Sequence, residues 1–581
     1  MTQLFARFRA CLWLSGLTGA LAEPAAAQFP ATITPLTALN SNAATDMGDD
    51  ERPRLATDGR GTWVAVWESD EDLGGMIDND LDIFFSRSID NGATWSAPAV
   101  INTNADTDSE DDQAPQIAAD GVGRWVVVWH SDEDIGGMTG GDFEILFARS
   151  SNNGVNWTDP VAVNNASSDS GDDFDPQVAT DRNGHWVVIW RSDEDLGGLI
   201  DNDFDVLVAS SNDDGANWDV TGVVNSYASI DSHDEFEPAL AADGLGNWVA
   251  LWHSRHDLNG MIGNDEDLLA VRSTDNGLTW SAAVVVNSYA TVDLHDEFEP
   301  QVATDGDGKW VAVWRSGHNL GGTIGFDDDL FVARSTDGGA TWSDAVVVNS
   351  NAAIDMSDDL HPQIAADRMG NWVVLWYSNP NLGGMTGFDD DLFVSHSANA
   401  GSTWTPIQAF NADASLAPAA NDLSPSLATD GWGNWRAAWN SQGKPGLGND
   451  EDIFRAGFAL PDCNGNGVGD GQDIADGASA DCDNNGVPDE CEPDGDGDGA
   501  IDGCDECPAD MAKVAAGACG CNTPDTDANA NGTLDCLEPQ PAGQPGGCCA
   551  AGVIPTIGLF VPALLIGFRA LRRHRGRRSK V

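Results

Sequence analysis

STDNGLTW, Ser273–Trp280, occurs again as STDGGATW from Ser335 and as SIDNGATW from Ser88. Looser copies are SSNNGVNW from Ser150, SSNDDGANW from Ser210 and SANAGSTW from Ser397. A catalytic centre is normally built once, so a stretch made six times points to architecture. Working outward, each copy sits inside one larger unit. PQIAAD (Pro115–Asp120) leads through a Gly-rich turn to the alternating WVVVW (Trp125–Trp129). An acidic loop follows, then FEILFARS (Phe143–Ser150), the repeated turn, and WTDPVAVN (Trp157–Asn164). Trp63, Trp125, Trp186, Trp248, Trp310, Trp372 and Trp435 mark seven such units at spacings of 61 to 63 residues.

Four short runs separated by turn residues predict one antiparallel sheet per unit. Such a sheet cannot cover both of its apolar faces, whereas a ring of sheets can. The expected fold class is all-β: a seven-bladed β-propeller of four-stranded blades over residues 28–461. The seventh unit has no fourth strand before Asp462, but TITPLTALN (Thr32–Asn40) matches the WSAPAVIN of later units. The N-terminal strand is therefore expected to complete the last blade and remove the open edge.

The pattern S-x-D-x-G-x-T-W at Ser88, Ser273 and Ser335 resembles the Asp box of bacterial neuraminidase repeats, found in sialidases and other propellers. At Ser150 and Ser397 the aspartate is replaced by Asn152 and Asn399. The box reads as a hairpin staple: the carboxylate caps backbone N–H groups and glycine permits positive φ. The resemblance implies a sialidase scheme of three arginines, a tyrosine with a glutamate partner, and an acid/base aspartate. Arg54, Arg191, Arg315 and Tyr377, with Glu237 or Glu299, are the residues it would recruit. Two features depart from the family: the Phe/Tyr-Arg-Ile-Pro signature is absent, and sialidases have six blades. Arg87, Arg149, Arg272 and Arg334 share one repeat column and read as structural. No Ser-His-Asp, zinc or phosphate-loop signature offers another enzyme.

Strand order places the boxes and the Gly-rich turns on one face of the ring, and the acidic loops on the other. Acid pairs such as Asp49-Asp50, Asp172-Asp173, Asp234-Glu235 and Asp296-Glu297 join that second face. They read either as a solvated rim or as oxygen ligands for a hard cation. One column there varies: Glu68, His130, Arg191, His253, Arg315, Tyr377 and Asn440 each follow the last tryptophan of a second strand. It reads as a ligand-binding pocket or as a permissive exposed position.

Arg7 and Arg9, an apolar run and Ala25-Ala26-Ala27 predict an export signal over 1–27, a substrate of signal peptidase. At the other end a linker with a short motif (539–549) precedes the apolar run 550–568 and a basic tail, 569–581. Nineteen helical residues reach about 28 Å, enough to span a bilayer. The arrangement resembles bacterial sorting signals processed by rhombosortase- or exosortase-like systems, which is the favoured reading, the alternative being a permanent membrane anchor. The expected location is the bacterial cell surface or the secreted fraction.

The formal charge is −67, and nine of the 27 Lys and Arg fall in the two terminal signals. Such a surface repels nucleic acid and attracts cations. Eight of eleven cysteines cluster between Cys463 and Cys536, which in an exported chain reads as disulfides confined to residues 462–538. The same segment alternates Asp and Asn around glycine, in a pattern similar to thrombospondin type 3 and dockerin-like calcium repeats. The resemblance implies calcium ligands at Asp462, Asn464, Asn466, Asp470, Asp473, Asp481, Asp483, Asn485 and Asp489. It implies the same for Asp494, Asp496, Asp498, Asp502, Asp525, Asp527, Asn529, Asn531 and Asp535. The expected whole is a propeller on a calcium-stabilised stalk that binds a glycan or an extracellular protein. The alternative is an exo-sialidase or related glycoside hydrolase.

Overall fold

The computed structural model describes residues 33–538 apart from 46, 78, 108, 136–140, 165–170, 201, 231, 293, 355, 380–388, 412–419, 443, 445–449, 461–462, 464–469, 476 and 483–486. The expected export signal, linker, apolar run and basic tail lie outside the described residues, as do Asp462, Asn464, Asn466, Asp483 and Asn485. Among the described residues no helix is long and apolar enough to cross a membrane.

Seven separate four-stranded antiparallel sheets follow one another along the chain. In blade 2 the strands are Asp112–Ala119, Trp125–Ser131, Glu144–Ser150 and Val161–Ala162. Every residue of the second strand is buried there. The cause is packing on both faces: Val126, Val128 and Ile145 of blade 2 share a cluster with Trp186, Trp190 and Leu207 of blade 3. The apolar core is therefore a set of layers between neighbouring blades, each anchored by fully buried tryptophans such as Trp125 and Trp186.

The N-terminal strand closes the ring as expected, though over a shorter span. Thr37 and Ala38 pair with Arg455 and Phe454 at the outer edge of blade 7. Leu39 continues the attachment by donating its N–H to Ile453 O at 2.6 Å. Fourth strands are generally only two residues long, against the eight read from WTDPVAVN. A side chain has taken over the next ladder bond. Arg149 N–H donates to Thr158 Oγ1 at 3.0 Å, and Arg87 N–H to Ser96 Oγ at 3.0 Å.

By compactness the chain forms two units, one reaching residue 494 and including 500–504, the other holding 495–499 and the residues from 505. Disulfides Cys463–Cys491 and Cys482–Cys504 belong to the first, Cys507–Cys521 and Cys519–Cys536 to the second. A six-residue helix, Asp470–Ala475, lies in the first unit.

Candidate functional site

Each first strand carries the same irregularity. The register slips two residues into the strand, between Glu51 and Arg54 in blade 1 and at the equivalent place in every other blade. The residue at the slip precedes a proline and has φ between 47° and 53°. These residues are Arg52, Ala114, Asp175, Glu237, Glu299, His361 and Ser424. None of the seven is glycine, although this conformation favours it and costs other residues on the order of 1–3 kcal/mol. A bulge of this kind re-aims a side chain. Here it turns one residue per blade toward the axis.

The bulges and the residues after them line an axial cavity of about 290 Å³ on the acidic-loop face. Arg52 and Arg54, Asp175, Glu237, Glu299 and His361 supply its ionisable groups, together with His130. Gln116, Gln177, Gln301 and Gln363 supply a band of neutral amides. Of the residues expected from sequence, Arg54, His130, Glu237 and Glu299 line the cavity. Glu68, Arg191, His253, Arg315 and Tyr377 stand one layer behind, each touching a bulge residue.

Those contacts are specific. Arg52 meets Glu68 at 3.1 Å, and Glu68 also accepts the Ala114 N–H at 2.8 Å. Arg191 donates to Asp175 at 2.6 Å while its guanidinium lies over the rings of Phe174, Phe204 and Phe236. Arg315 pairs with Glu299 at 3.0 Å and with Asp328. His253 stands between Glu266 (2.8 Å) and Glu237 (3.3 Å). His361 lies 3.3 Å from Glu299 and stacks on Tyr377. Asn440 is turned away to Glu451. The bulge amides also link blades, since Glu299 N–H donates to Glu237 at 2.6 Å and His361 N–H to Glu299 at 2.7 Å.

Burial sets much of the electrostatics. It pushes Tyr377 up to about 12, assisted by Glu299 and Asp390, so the phenol is a poor nucleophile as it stands. It lowers Arg54 to about 10 and His130 to about 4, leaving a neutral imidazole beside the cavity. His130 Nδ1 has no hydrogen-bond partner. Burial also raises Glu68, an effect Arg52 partly offsets. For Glu237 burial works upward too, but the hydrogen bond and charge of His253 outweigh it and hold the carboxyl below its usual range.

The arginines of the sialidase scheme do not converge as a clamp. Arg191 and Arg315 are each paired within their own blade, and Arg54 lies in the channel with its guanidinium donating to Pro53 O at 3.0 Å. The bulge column was missed in sequence apart from Glu237 and Glu299. Its signal was an X-Pro pair at the same place in every unit, such as HP at His361 and DP at Asp175.

The acid pairs also differ from a simple rim. Asp50, Asp173, Glu235 and Glu297 are buried, and their neighbours staple blades: Asp49 accepts Glu451 N–H at 2.9 Å, and Asp296 accepts Glu266 N–H at 2.9 Å. On the opposite face, Arg87 Nε donates to Asn153 O and Arg149 Nε to Asp214 O, so this column joins each blade to the next box.

In the cysteine-rich segment, Asp527 accepts N–H bonds from Asn531 (3.0 Å) and Gly532 (2.8 Å), and Asp535 accepts one from Ala528 at 3.1 Å. Asp527, Asn529, Asn531 and Asp535 thus bound one tight loop of oxygen-bearing side chains. Cys519 N–H likewise donates to Asp525, and Cys482 N–H to Asp489.

Three solved structures are similar to the chain. A protein of unknown function from Dyadobacter fermentans DSM 18053 has a TM-score of 0.43 and 14% identity, covering 74% of this chain and 99% of its own. An alpha-L-arabinanase of Penicillium chrysogenum, complexed with arabinobiose, has 0.38 and 16%, covering 74% and 99%. A Hadza microbial sialidase has 0.37 and 18%, covering 56% and 63%. No curated protein matches the chain in sequence. Residues 61–288, from the first Gly-rich turn to just past the fourth blade, match the family model of the BNR repeat-like domain.

Proposed function

We propose that the chain is an exported, surface-anchored recognition module whose axial cavity binds a neutral glycan without cleaving it. The observation that carries this reading is the ring of non-glycine residues at the seven bulges. Backbone geometry alone would be met by glycine; instead seven strained positions aim side chains of different chemistry at one cavity. Its volume of about 290 Å³ suits one or two sugar rings. Glutamine amides and paired carboxylates are the partners that sugar hydroxyls use. An anionic sugar is disfavoured because Arg191 and Arg315 are already neutralised by acids and the surface is strongly negative. The cysteine-rich segment serves this reading as a calcium-dependent stalk. The loop bounded by Asp527 and Asp535 fits such an ion by its oxygen donors and its glycine.

The test is a glycan array followed by calorimetric titration of the full-length protein and of Glu237→Gln and Gln301→Ala. Neutral oligosaccharides should bind, and each variant should weaken them about tenfold, the loss of roughly one hydrogen bond. Unchanged affinity in both variants would remove the cavity from the reading. A second reading, a glycoside hydrolase, has one observation in its favour: Asp175, Glu237 and Glu299 bring carboxylates from three blades to one cavity, the groups glycoside hydrolysis uses. Turnover of a fluorogenic glycoside, lost in Glu237→Gln, would establish it.

A further inference from the structure

The axis of the ring holds a second cavity, of about 310 Å³, on the face of the repeated turns. It continues along the same inner strands: Arg54 lines the first cavity, Ala56 and Thr57 the second. All seven blades reach it, mostly with alanine, threonine and glycine. Its charged residues are Asp243, Asp305, Arg182 of blade 3 and Arg368 of blade 6.

The two arginines occupy one repeat position, directly after the aspartate that follows each first strand. The other five blades have glycine there, Gly59, Gly121, Gly244, Gly306 and Gly431, with φ between 69° and 83°. The position also runs close to the neighbouring blade: a Cβ on Gly59 would stand 3.1 Å from Asp430 O, and one on Gly121 3.2 Å from Asp58 O. The fold therefore asks for glycine. Arg182 nevertheless holds the left-handed conformation, φ 61°, with a long side chain attached. Arg368 lays its side chain along the turn of blade 7, Cγ 3.7 Å and Nε 3.8 Å from where a Gly431 Cβ would lie.

Both guanidinium groups are unengaged. The Arg182 backbone N–H donates to Thr180 Oγ1 at 3.1 Å and that of Arg368 to Gly431 O at 3.4 Å, but neither guanidinium meets an acceptor among the described residues. Arg191 and Arg315, by contrast, are paired with acids, and Arg87 and Arg149 staple blades. The aspartates beside the cavity are committed to their own turns. Asp243 accepts the N–H groups of Leu245 and Asn247 and the Asn247 amide, and Asp305 does the same for Asp307 and Lys309. Arg182 is influenced by Arg368, Asp120 and Asp58, of blades 6, 2 and 1, as only a group near the axis can be. Burial first, and then the charge of Arg368, hold its pKa below the usual range, which the two acids only partly offset.

We propose that Arg182 and Arg368 form an oxyanion site at this second mouth of the axis, taking a carboxylate, sulfate or phosphate group from a small ligand. A guanidinium presents paired N–H donors to two oxygens of such a group. Blades 3 and 6 lie across the ring from one another, so the two forks grip the anion from opposite sides and its charge relieves their repulsion. The site is separate from the cavity on the acidic-loop face, and the two can be filled independently.

The test is calorimetric titration of the full-length protein with sodium sulfate, sodium phosphate and sodium malonate, at an ionic strength fixed with sodium chloride. At least one should bind at one equivalent that depends on the arginines, and which one does so names the group. Arg182→Gly and Arg368→Gly give these blades the residue of the other five, so both variants should fold. Each should weaken the binding at least tenfold, and the double variant should lose that equivalent altogether. Anions held by the basic tail persist in the double variant and are subtracted. The same anion should raise the melting temperature of the unmodified chain more than that of the double variant. Should the double variant not fold, Arg182→Gln is read in its place, with the same tenfold loss expected. An equal response of the unmodified chain and the folded variants to all three anions overturns the proposal.

Discussion

His130 and His253 occupy the same place in blades 2 and 4, yet their surroundings drive protonation in opposite directions. Burial lowers His130 from 6.5 to about 4, so the unfolded chain takes up the proton first as pH falls. Its contribution is therefore lost between pH 6.5 and 4. For His253 burial also works downward, but the hydrogen bonds and charges of Glu237 and Glu266 outweigh it and raise the pKa above 6.5. Its contribution is complete below 6.5 and disappears as pH rises through the raised value. Urea unfolding from pH 4.5 to 8.5 should show His253→Gln costing roughly 1–3 kcal/mol at pH 6, with the gap narrowing toward pH 8.5. His130→Gln should instead flatten the loss of stability on the acid side. The variable column containing both was legible because a repeat exposes any position that fails to repeat. The bulge column was hidden by its proline, since a residue before proline reads as extended chain, and positive φ leaves no mark on the composition.

At the scale of the element, the repeated turn behaves as a closed hydrogen-bond unit. Ser88 Oγ donates to Asp90 at 2.8 Å and accepts the Gly92 N–H at 2.9 Å, while Asp90 accepts the Thr94 N–H at 2.8 Å. Gly92 has φ +78°, and a Cβ there would stand 2.5 Å from Arg436 Nε. Asp90→Ala should therefore cost about 1 kcal/mol, and Asp337→Ala about the same. The two boxes lie in different blades, so the double variant in a urea titration should give the sum within a few tenths of a kcal/mol. A deficit larger than that would mean the boxes act together around the ring. The box and the first three strands were legible from local signals. The shortness of the outer strands was not, because Ser96 or Thr158 in place of a backbone acceptor is decided by tertiary geometry.

For the whole molecule, closure rests on the residues around Thr37–Ala38. Leu39 is buried in the junction with blade 1, and Asn40 joins acids of blades 1 and 7. Removing residues 28–41 should lower the melting temperature and expose the outer edge of Glu451–Ala459. Light scattering after size exclusion should then show concentration-dependent association, as an unpaired edge predicts. A monomer with unchanged melting would show that the strand is dispensable. Blade number and closure were readable because both follow from counting repeats and finding one incomplete. The burial of the inner acids was not legible because sequence shows charge, whereas burial arises only when two blades meet.

Closure also has a consequence in time. Asn40 and its partner Asp452 lie 412 residues apart, so the segment synthesised first is the one used last. At roughly 5–20 residues per second, about 20–80 s separate the emergence of these two residues. Throughout that interval blades 1 to 6 have no partner for their end faces, and the N-terminal strand has no edge to join. The ring is an open spring until blade 7 arrives, and its final fold is set by a meeting between the oldest and the newest parts of the chain.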